Sequence, residues 1–339
     1  MPHQITIQPS GHTFIAEDDE TILAAALRLG FMLPYGCRNG ACGTCKGTVL
    51  SGEIDYGEFQ SKTLTDADIN AGKALFCVAS AMNDITIECR EVGAAKDIQI
   101  KTLPARIHKM DKLGHDVMGL YLKLPASERV QFLAGQYIDI LLKNGKRRSF
   151  SLANPPHDDT FLQLHIRYVS GGEYTEHVFN TMKEKDIVRI EGPLGNFFLR
   201  EDSNKPIIFI AGGTGYAPVQ SMIAHALHHH LNREMVLYWG TRELRDLYLP
   251  QTPSRWQEEN PNFTFIPVLS SPAASDAWPG RTGRVSDIVI QDFPDLSGYQ
   301  VYACGAPAMV EAAQAACIAH GLPENEFYAD AFSYQSNNA

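Results

Sequence analysis

A chain of 339 residues is long enough for two or three domains, each with its own hydrophobic core. Hydrophobic residues make up 44% of the chain and charged residues 20%, as in ordinary soluble globular proteins, and no apolar run approaches the ~18 residues of a membrane span. The formal charge of −10 argues against a nucleic-acid partner. The odd count of seven cysteines and an N-terminus without an export signal predict a cytoplasmic protein without disulfides.

Residues 1–92 form the first predicted domain. Short strand patterns such as "QITIQP", "HTFIAE" and "ITIECREV" surround one predicted helix, "ETILAAALRLG". Up to Glu91 there are twelve acidic and six basic residues, a local charge of −6. Such a surface either steers a basic partner or only keeps the domain soluble.

After a linker, "VGAAKDIQIK", the pattern changes to alternating strands over residues 101–200. The segments "ARIHKM", "VMGLYLKL", "QYIDILL", "LQLHIRYV" and "DIVRIEGPLG", with regular turn signals between them, predict an antiparallel β-barrel.

Residues 205–339 alternate apolar strands with helices and form the third predicted domain. The strands are "PIIFIAG", "EMVLYWG", "FTFIPVLS", "YQVYACGA" and "EFYADAF", and the helices include "VQSMIAHALHHH" and "AMVEAAQAACIAHG". This alternation predicts a doubly wound α/β domain with a parallel sheet.

Three cysteines lie within nine residues of the first domain, in the stretch "CRNGACGTCKG". Cys37, Cys42 and Cys45 have the spacing C-x4-C-x2-C, and Cys77 follows 32 positions after Cys45. Zinc sites usually take their ligands as two spaced pairs, whereas this spacing is the plant-type arrangement for a [2Fe–2S] cluster. The pattern therefore favours the cluster over zinc, and a disulfide is the least favoured reading.

With "YGCRNGACGTCKG…LFCVA", residues 1–92 resemble a plant-type ferredoxin, which implies a β-grasp (α+β) fold for this domain. In the second region "RRSFSLAN" resembles the Arg-x-Tyr-Ser flavin motif of the ferredoxin–NADP reductase superfamily. That resemblance implies that Arg148 binds a flavin phosphate and that Phe150 packs on the isoalloxazine ring. It also implies that Ser149 and Ser151 bind the flavin, with a hydroxyl that hydrogen-bonds its reactive edge. The family most often has Tyr where this chain has Phe150, so any contact from the Tyr hydroxyl is lost.

Further motifs extend the resemblance. The stretch "HIRYVSGGEYTEHVF" lies where the family cradles the flavin pyrophosphate, which implies roles for Arg167, Gly172 and Thr175. "GPLGNFFL" matches the end of the family's barrel. FAD is favoured over FMN, because FMN goes with a C-terminal ferredoxin module in the relatives and the module here is N-terminal.

In the third region two stretches follow strands. "IIFIAGGTGYAP" contains a glycine-rich turn, and "YACGAP" ends a later strand. They resemble the GGTGxAP and CGxP motifs of the same superfamily, which implies a nicotinamide dinucleotide beside Cys304 and a terminal aromatic, Phe332, over the flavin. The residues assigned to dinucleotide binding are Gly212, Gly213, Thr214, Gly215, Arg242, Cys304 and Gly305.

Arg242 stands where an acidic residue would indicate NAD. Arg242 either meets a 2′-phosphate or pairs with Glu243 or Asp246. The resemblance favours NADH, because the relatives use it, and NADPH stays open. The histidines His225, His228 and His229 have helical spacing, but no second motif supports a metal site, so a solvated helix face is expected.

The resemblance covers almost the whole chain and implies an NAD(P)H-dependent iron–sulfur flavoprotein reductase. Ser151, Cys304 and Phe332 are the predicted catalytic residues, and Cys37, Cys42, Cys45 and Cys77 the cluster ligands. Electrons pass from NADH through FAD and the [2Fe–2S] cluster to a one-electron protein acceptor, such as an oxygenase, a ferredoxin or a dehydratase component. The chain looks most like the reductases of CDP-6-deoxy-glucoseen dehydratases. Two alternatives are a free-flavin or oxygen-directed reductase and a redox-sensing interaction module.

Overall fold

The structure is a computed structural model that describes residues 2–89 and 98–332. The chain divides after Gln99 into two compact units. Most of the predicted linker lies outside the described residues.

Small strands make up most of the first unit. Its elements are β1 (His3–Gln8), β2 (Thr13–Ala16), α1 (Ile22–Arg28), β3 (Lys46–Ser51), β4 (Ile54–Asp55), α2 (Asp66–Asn70), β5 (Lys73–Leu75), β6 (Ser80–Ala81) and β7 (Ile85–Glu88).

Five of these strands form one sheet in the order β2–β1–β7–β3–β5, in which β1 and β7 are parallel. Ile5 and Ile7 of β1 and Ile85 and Ile87 of β7 alternate inward and are buried. Helix α1 turns its apolar side to the core, and the Thr21 hydroxyl accepts a hydrogen bond from the Ala24 amide at its start. This mixed sheet with one packed helix confirms the predicted β-grasp fold.

The second unit begins with a barrel. Its elements are β8 (Lys101–Lys112), β9 (Val117–Lys123), β10 (Tyr137–Leu141), β11 (Arg147–Ser151), β12 (Leu162–Arg167), α3 (Glu173–Asn180) and β13 (Ile187–Leu194).

The strand order is β11–β10–β13–β8–β9–β12, and all neighbours are antiparallel. A bridge between Leu152 and Leu164 joins the two edge strands and closes the sheet into a barrel. Aliphatic side chains fill the interior, as the alternating pattern predicts.

A parallel sheet with helices follows. Its elements are β14 (Ile207–Gly212), α4 (Tyr216–His228), β15 (Met235–Thr241), α5 (Gln251–Glu259), β16 (Phe263–Leu269), β17 (Arg281–Thr282), α6 (Val285–Asp292), β18 (Gln300–Gly305), α7 (Pro307–Ala319) and β19 (Phe327–Ala331).

The strands are ordered β17–β16–β15–β14–β18–β19, and all neighbours are parallel. Across the sheet, the order in which the chain visits the strands reverses between β14 and β18. Ligands of such sheets bind at the carboxyl ends of the strands at this reversal. Apolar cores cover both faces of the sheet, which confirms the predicted doubly wound domain. Over the described ranges, no helix has the length and apolar character needed to cross a membrane.

Candidate functional site

The four predicted cluster ligands come together in the first unit. The loop that precedes β3 supplies three sulfurs, and Cys77 supplies the fourth from the turn after β5. The sulfurs form two hydrogen-bonded pairs, Cys37 with Cys42 and Cys45 with Cys77. The backbone turns sharply here: Gly40 has φ +72°, and a Cβ on it would lie 3.0 Å from the carbonyl oxygen of Glu58.

Backbone amides of the loop point at the sulfurs. The Cys37 N–H donates to Cys42 Sγ at 3.4 Å, and the Ala41 N–H donates to Cys37 Sγ at 3.4 Å. Hydrogen bonding with Cys37 lowers the pKa of Cys42 to about 5. The hydrogen bond with Cys45, together with the Gly40 amide, lowers the pKa of Cys77. Their partners Cys37 and Cys45 have raised pKa values, since each shares its hydrogen bond with the lowered thiol of the pair and is desolvated by burial. One sulfur of each pair is therefore stabilised as a thiolate, the form that ligates metal.

The spacing of the sulfurs separates the two metal candidates. A tetrahedral zinc site with Zn–S bonds of 2.3 Å holds its four sulfurs about 3.8 Å apart. Among the described residues, no three of these four cysteine sulfurs lie within 4.8 Å of one another. Two pairs of thiolates fit two irons with two cysteines each, which is the ligand set of a [2Fe–2S] cluster.

In the barrel, the flavin motif occupies β11. Neighbouring side chains of a strand alternate between faces, so Arg148 and Phe150 share one side and Arg147 and Ser149 the other. The Ser149 hydroxyl donates to Asp139 Oδ1 at 2.6 Å, so its side chain turns away from the side of Arg148. Ser151 ends the strand and is buried.

Phe150 lies close to a polar group that has no partner. Its ring centroid is 5.5 Å from that of Tyr174 on α3, and the Tyr174 hydroxyl is buried without a hydrogen-bond partner. Burial raises the pKa of Tyr174, which keeps the hydroxyl a donor. An arginine, an aromatic ring and an unused buried donor fit a phosphate-bearing, flat ligand such as FAD.

Arg167 and Thr175, both predicted to bind the flavin pyrophosphate, have different surroundings in the structure. The Thr175 hydroxyl donates to the Val169 and Gly172 carbonyls at 3.0 and 3.1 Å, so it shapes the turn before α3. Arg167, at the end of β12, instead reaches the dinucleotide turn: a Cβ on Gly213 would lie 2.6 Å from its Nη1.

Arg167 has spare hydrogen-bonding capacity. Its Nε lies 3.1 Å from Asp116 Oδ2 as an ion pair, but Nε and Nη2 are buried without a hydrogen-bond partner. Buried guanidinium donors are costly unless satisfied. The barrel therefore presents unused guanidinium donors, on an arginine already paired with Asp116, where it meets the glycine-rich turn.

The dinucleotide turn connects β14 to α4. Gly213–Gly215 form one 3₁₀ turn, and the Trp239 indole N–H donates to the Gly213 carbonyl at 2.9 Å. The Trp239 ring stacks on Tyr216 with centroids 3.9 Å apart. This stack holds the turn at the carboxyl edge of the sheet, where the amides at the start of α4 are available to a phosphate.

Cys304 ends β18 beside the same turn. Its thiol is fully buried, and burial raises its pKa well above the ordinary value, with the Asp330 carboxylate adding to the shift. The thiol therefore stays protonated and is no nucleophile. The Phe332 N–H donates to the Gly305 carbonyl at 2.8 Å, so the terminal aromatic lies beside this strand end.

Arg242 follows β15 at the same edge and is exposed. Its two acidic neighbours form ion pairs with other residues. Glu243 pairs with Arg245 at 2.8 Å, and Asp246 Oδ1 lies 3.6 Å from His115 Nε2. The Arg242 carbonyl accepts from the Ser271 amide at 2.9 Å, which places the end of β16 next to it.

The three parts of the chain match three family models. They are the 2Fe-2S iron-sulfur cluster binding domain over residues 5–82, the oxidoreductase FAD-binding domain over 104–199, and the oxidoreductase NAD-binding domain over 209–315. The CDP-6-deoxy-L-threo-D-glycero-4-hexulose-3-dehydrase reductase of Yersinia pestis is 40% identical over 98% of this chain and 99% of its own.

The chain belongs to the family of iron–sulfur flavoprotein reductases with these three domains. A reductase component of terephthalate 1,2-dioxygenase from Comamonas sp is 34% identical over 98% of both chains. Among solved structures, an Amycolatopsis cytochrome P450 reductase superposes with a TM-score of 0.83, 34% identity and 97% coverage of this chain and 98% of the other.

Membership of this reductase family establishes the function predicted from the sequence. The protein is an oxidoreductase that uses NADH, FAD and a [2Fe–2S] cluster to supply electrons to a protein acceptor. The individual site residues stay predictions.

Several residues of the reductase site belong to no recognisable sequence motif. Asp116, Trp239 and Tyr248 lie around Arg167 and Cys304, but no short motif contains them. The histidines of α4 also acquire a partner, His157, that their own spacing does not reveal.

Proposed function

We propose that this reductase serves a separate enzyme of the dehydratase class, with an oxygenase component as the second candidate. The observation that carries the proposal is the end-to-end match at 40% identity to a hexulose dehydrase reductase, against 34% for a dioxygenase reductase component. Because this match spans all three domains, it supports the same route of electrons in this protein as in the dehydrase reductase.

We further propose the domain boundaries 1–92, 101–200 and 205–339, and a division of labour among them. Bound FAD would supply the exchange between two-electron hydride transfer and one-electron transfer, chemistry that the chain itself does not provide. Arg148 and Phe150 hold the flavin, and Cys37, Cys42, Cys45 and Cys77 hold the cluster.

At the reductase site, Arg167 neutralises phosphate at the dinucleotide turn, and Cys304 and Phe332 exclude water beside the nicotinamide. No acid–base pair is required, because hydride transfer depends on close positioning of about 3–3.5 Å. The proposed location is the cytoplasm, because an odd count of seven cysteines, four of them proposed cluster ligands, suits a reducing compartment.

The acidic character of the first domain gives the proposal an electrostatic component. Glu58 is exposed, and its carbonyl packs against Gly40 of the cluster loop. Acidic groups beside the cluster attract a basic docking face, and salt weakens this attraction over a Debye length of about 8–10 Å.

The first test replaces one cluster ligand. Cys42→Ser should abolish NADH-driven reduction of cytochrome c, a one-electron acceptor, and leave the reduction of two-electron dyes nearly intact. Hydride transfer uses only the second unit, whereas the one-electron route needs the thiolates of the first. Flavin content must be checked in the same sample, since loss of metal destabilises a small domain.

Persistent cytochrome c reduction by Cys42→Ser, with FAD bound and no iron, would contradict a serial route. The acceptor class is tested by adding the Yersinia pestis hexulose dehydrase or the Comamonas terephthalate oxygenase to the wild-type reductase. NADH oxidation coupled to dehydrase turnover, and falling with ionic strength, supports the proposal. Coupling to the oxygenase alone selects the second candidate, and reduction of free flavin alone rejects both.

A further inference from the structure

Four histidine rings gather where a barrel loop meets the end of α4. His225, His228 and His229 come from the helix, and His157 comes from the loop between β11 and β12. One nitrogen from each of His157, His225 and His229 lies within 4.8 Å of the others. The His157 ring stacks on His228 with centroids 3.6 Å apart.

The loop that carries His157 is fixed to α4 by hydrogen bonds. The Ser221 hydroxyl donates to the Asn154 carbonyl at 2.7 Å, and Gln220 Nε2 donates to the Ala153 carbonyl at 3.2 Å. Within the loop, Asn154 Nδ2 donates to the Asp158 carbonyl at 2.7 Å. The position of His157 opposite the helix is therefore set by structure on both sides of it.

His225 has one ring nitrogen next to a carboxylate and the other without a hydrogen-bond partner. Its Nε2 lies 3.1 Å from Glu201 Oε1, and an ionised carboxylate only accepts hydrogen bonds, so Nε2 carries the proton. Its Nδ1 then holds a lone pair, and this atom is buried without a hydrogen-bond partner. A carboxylate behind a histidine in this way fixes the tautomer and raises the basicity of the ligand atom.

We propose that His157, His225 and His229 form a binding site for a divalent transition-metal ion such as Zn²⁺, with Glu201 as the orienting carboxylate. Neutral imidazoles are preferred ligands of Zn²⁺, Cu²⁺ and Ni²⁺. Zn–N bonds of about 2.1 Å place ligand nitrogens about 3.4 Å apart. The three histidine nitrogens, which lie within 4.8 Å of one another, therefore need only a small rearrangement to reach one ion. The exposed His157 and His229 side chains allow this movement.

The location gives the site a mechanical role. His157 follows six residues after the flavin strand ends at Ser151, and α4 begins at the dinucleotide turn. A bound ion ties the loop of the flavin barrel to the helix of the dinucleotide domain and stabilises their contact.

The test titrates Zn²⁺ into the oxidised holoenzyme near neutral pH by calorimetry, with iron content measured before and after. We expect one saturable site per chain in the wild type. Glu201→Gln should weaken binding about 10–100-fold, as expected for loss of the carboxylate behind a ligating histidine. His157→Gln and His225→Gln should weaken it further.

His230→Asn is the matched control. His230 is exposed, follows the same helix end, has φ +51° and lies outside the nitrogen group, and Asn tolerates that backbone conformation. It should bind Zn²⁺ as the wild type does. Cu²⁺ provides a second readout, because its EPR spectrum shows nitrogen hyperfine splitting from imidazole that His157→Gln should reduce.

Absence of saturable Zn²⁺ binding in the wild type, or equal affinity in wild type, His157→Gln and His225→Gln, overturns the proposal. Loss of iron during the titration assigns the heat to the cysteines and likewise counts against it. Zinc-dependent protection of the wild type against thermal unfolding, absent in His157→Gln, supports the link between barrel loop and helix.

Discussion

Two adjacent arginines on β11 have different environments. Arg147 Nη1 pairs with Glu191 Oε1 at 2.6 Å and lies 3.6 Å from Asp139 Oδ2. Arg148 is half-buried on the opposite side, with Phe150. Strand geometry thus assigns one guanidinium to an ion pair of the barrel wall and the other to the proposed flavin side.

Arg148→Ala should lose FAD and keep the [2Fe–2S] cluster. The arginine provides the proposed phosphate contact, and charge-assisted hydrogen bonds of this kind contribute about 1.5–3 kcal/mol each. Visible absorption and extracted flavin measure both cofactors in one sample.

The neighbouring substitution Arg147→Ala is the control for that experiment. It removes a partly exposed ion pair worth at most about 1 kcal/mol and should leave FAD content unchanged. Equal flavin content in the two variants would contradict the assignment of Arg148. Joint loss of flavin and cluster would contradict the separate folding of the two units.

At the scale of elements, the dinucleotide turn after β14 and the end of β18 approach each other so closely that no side chain fits between them. A Cβ on Gly215 would lie 2.1 Å from the Cys304 carbonyl oxygen. The glycine is therefore required by the contact between the dinucleotide turn and the end of β18, where the proposed nicotinamide contact Cys304 lies.

Gly215→Ala should impair reduction of the flavin by NADH while the protein retains FAD and cluster. The added methyl group must push the turn away from β18 at a cost of roughly 1–3 kcal/mol. Stopped-flow bleaching of the flavin by NADH measures the effect, expected as weaker NADH binding and a slower hydride step.

Gly298→Ala is the control for the turn, because a Cβ there meets nothing within 4 Å. Its NADH kinetics should match the wild type, and its stability should change by less than about 0.5 kcal/mol. If Gly215→Ala reacts with NADH as Gly298→Ala does, the turn does not position the dinucleotide.

Sequence patterns predict the long elements of this chain and miss the short ones. The first eight residues of β8 alternate between more buried and exposed positions, and a period of two of this kind can be recognised in the sequence. β17 has two residues, and β3 has only half-buried and exposed positions, so neither carries a clear period. Their strand state comes from pairing with neighbours.

The same distinction applies to the sites. Three of the four cluster cysteines lie in one short loop with a characteristic spacing, so the ligand set can be predicted from the sequence once Cys77 is added. Arg167 meets Gly213, and His157 meets His225, through the packing of the barrel on the dinucleotide domain. Such pairs depend on tertiary contacts between separate elements, which no periodicity within one element records.

At the scale of the whole second unit, a buried polar chain joins the barrel to the dinucleotide domain. Gln163 Nε2 lies 3.1 Å from His165 Nε2, and His165 Nδ1 lies 3.0 Å from the Tyr248 hydroxyl. If the amide donates to Nε2, the Nδ1 proton goes to Tyr248. His165 must remain neutral for this chain to hold.

Burial lowers the pKa of His165 to about 3, against an unfolded value of 6.5. Between these values the unfolded chain binds a proton that the folded protein does not, so this stabilisation is complete above pH 6.5 and is lost as pH falls. From pH 6.5 to pH 5.0 the loss is about 2 kcal/mol, at about 1.4 kcal/mol per pH unit.

His165→Gln should be less stable at pH 7 and should lose about 2 kcal/mol less than the wild type between pH 6.5 and pH 5.0. Gln keeps hydrogen-bonding groups but does not titrate, so only the pH-dependent part disappears. Denaturant unfolding followed by flavin release measures the free energy of unfolding of the second unit at each pH. His108→Gln, at an exposed histidine of the same barrel, should keep the wild-type pH dependence. If His165→Gln also keeps it, the buried chain does not couple protonation to the joining of barrel and dinucleotide domain.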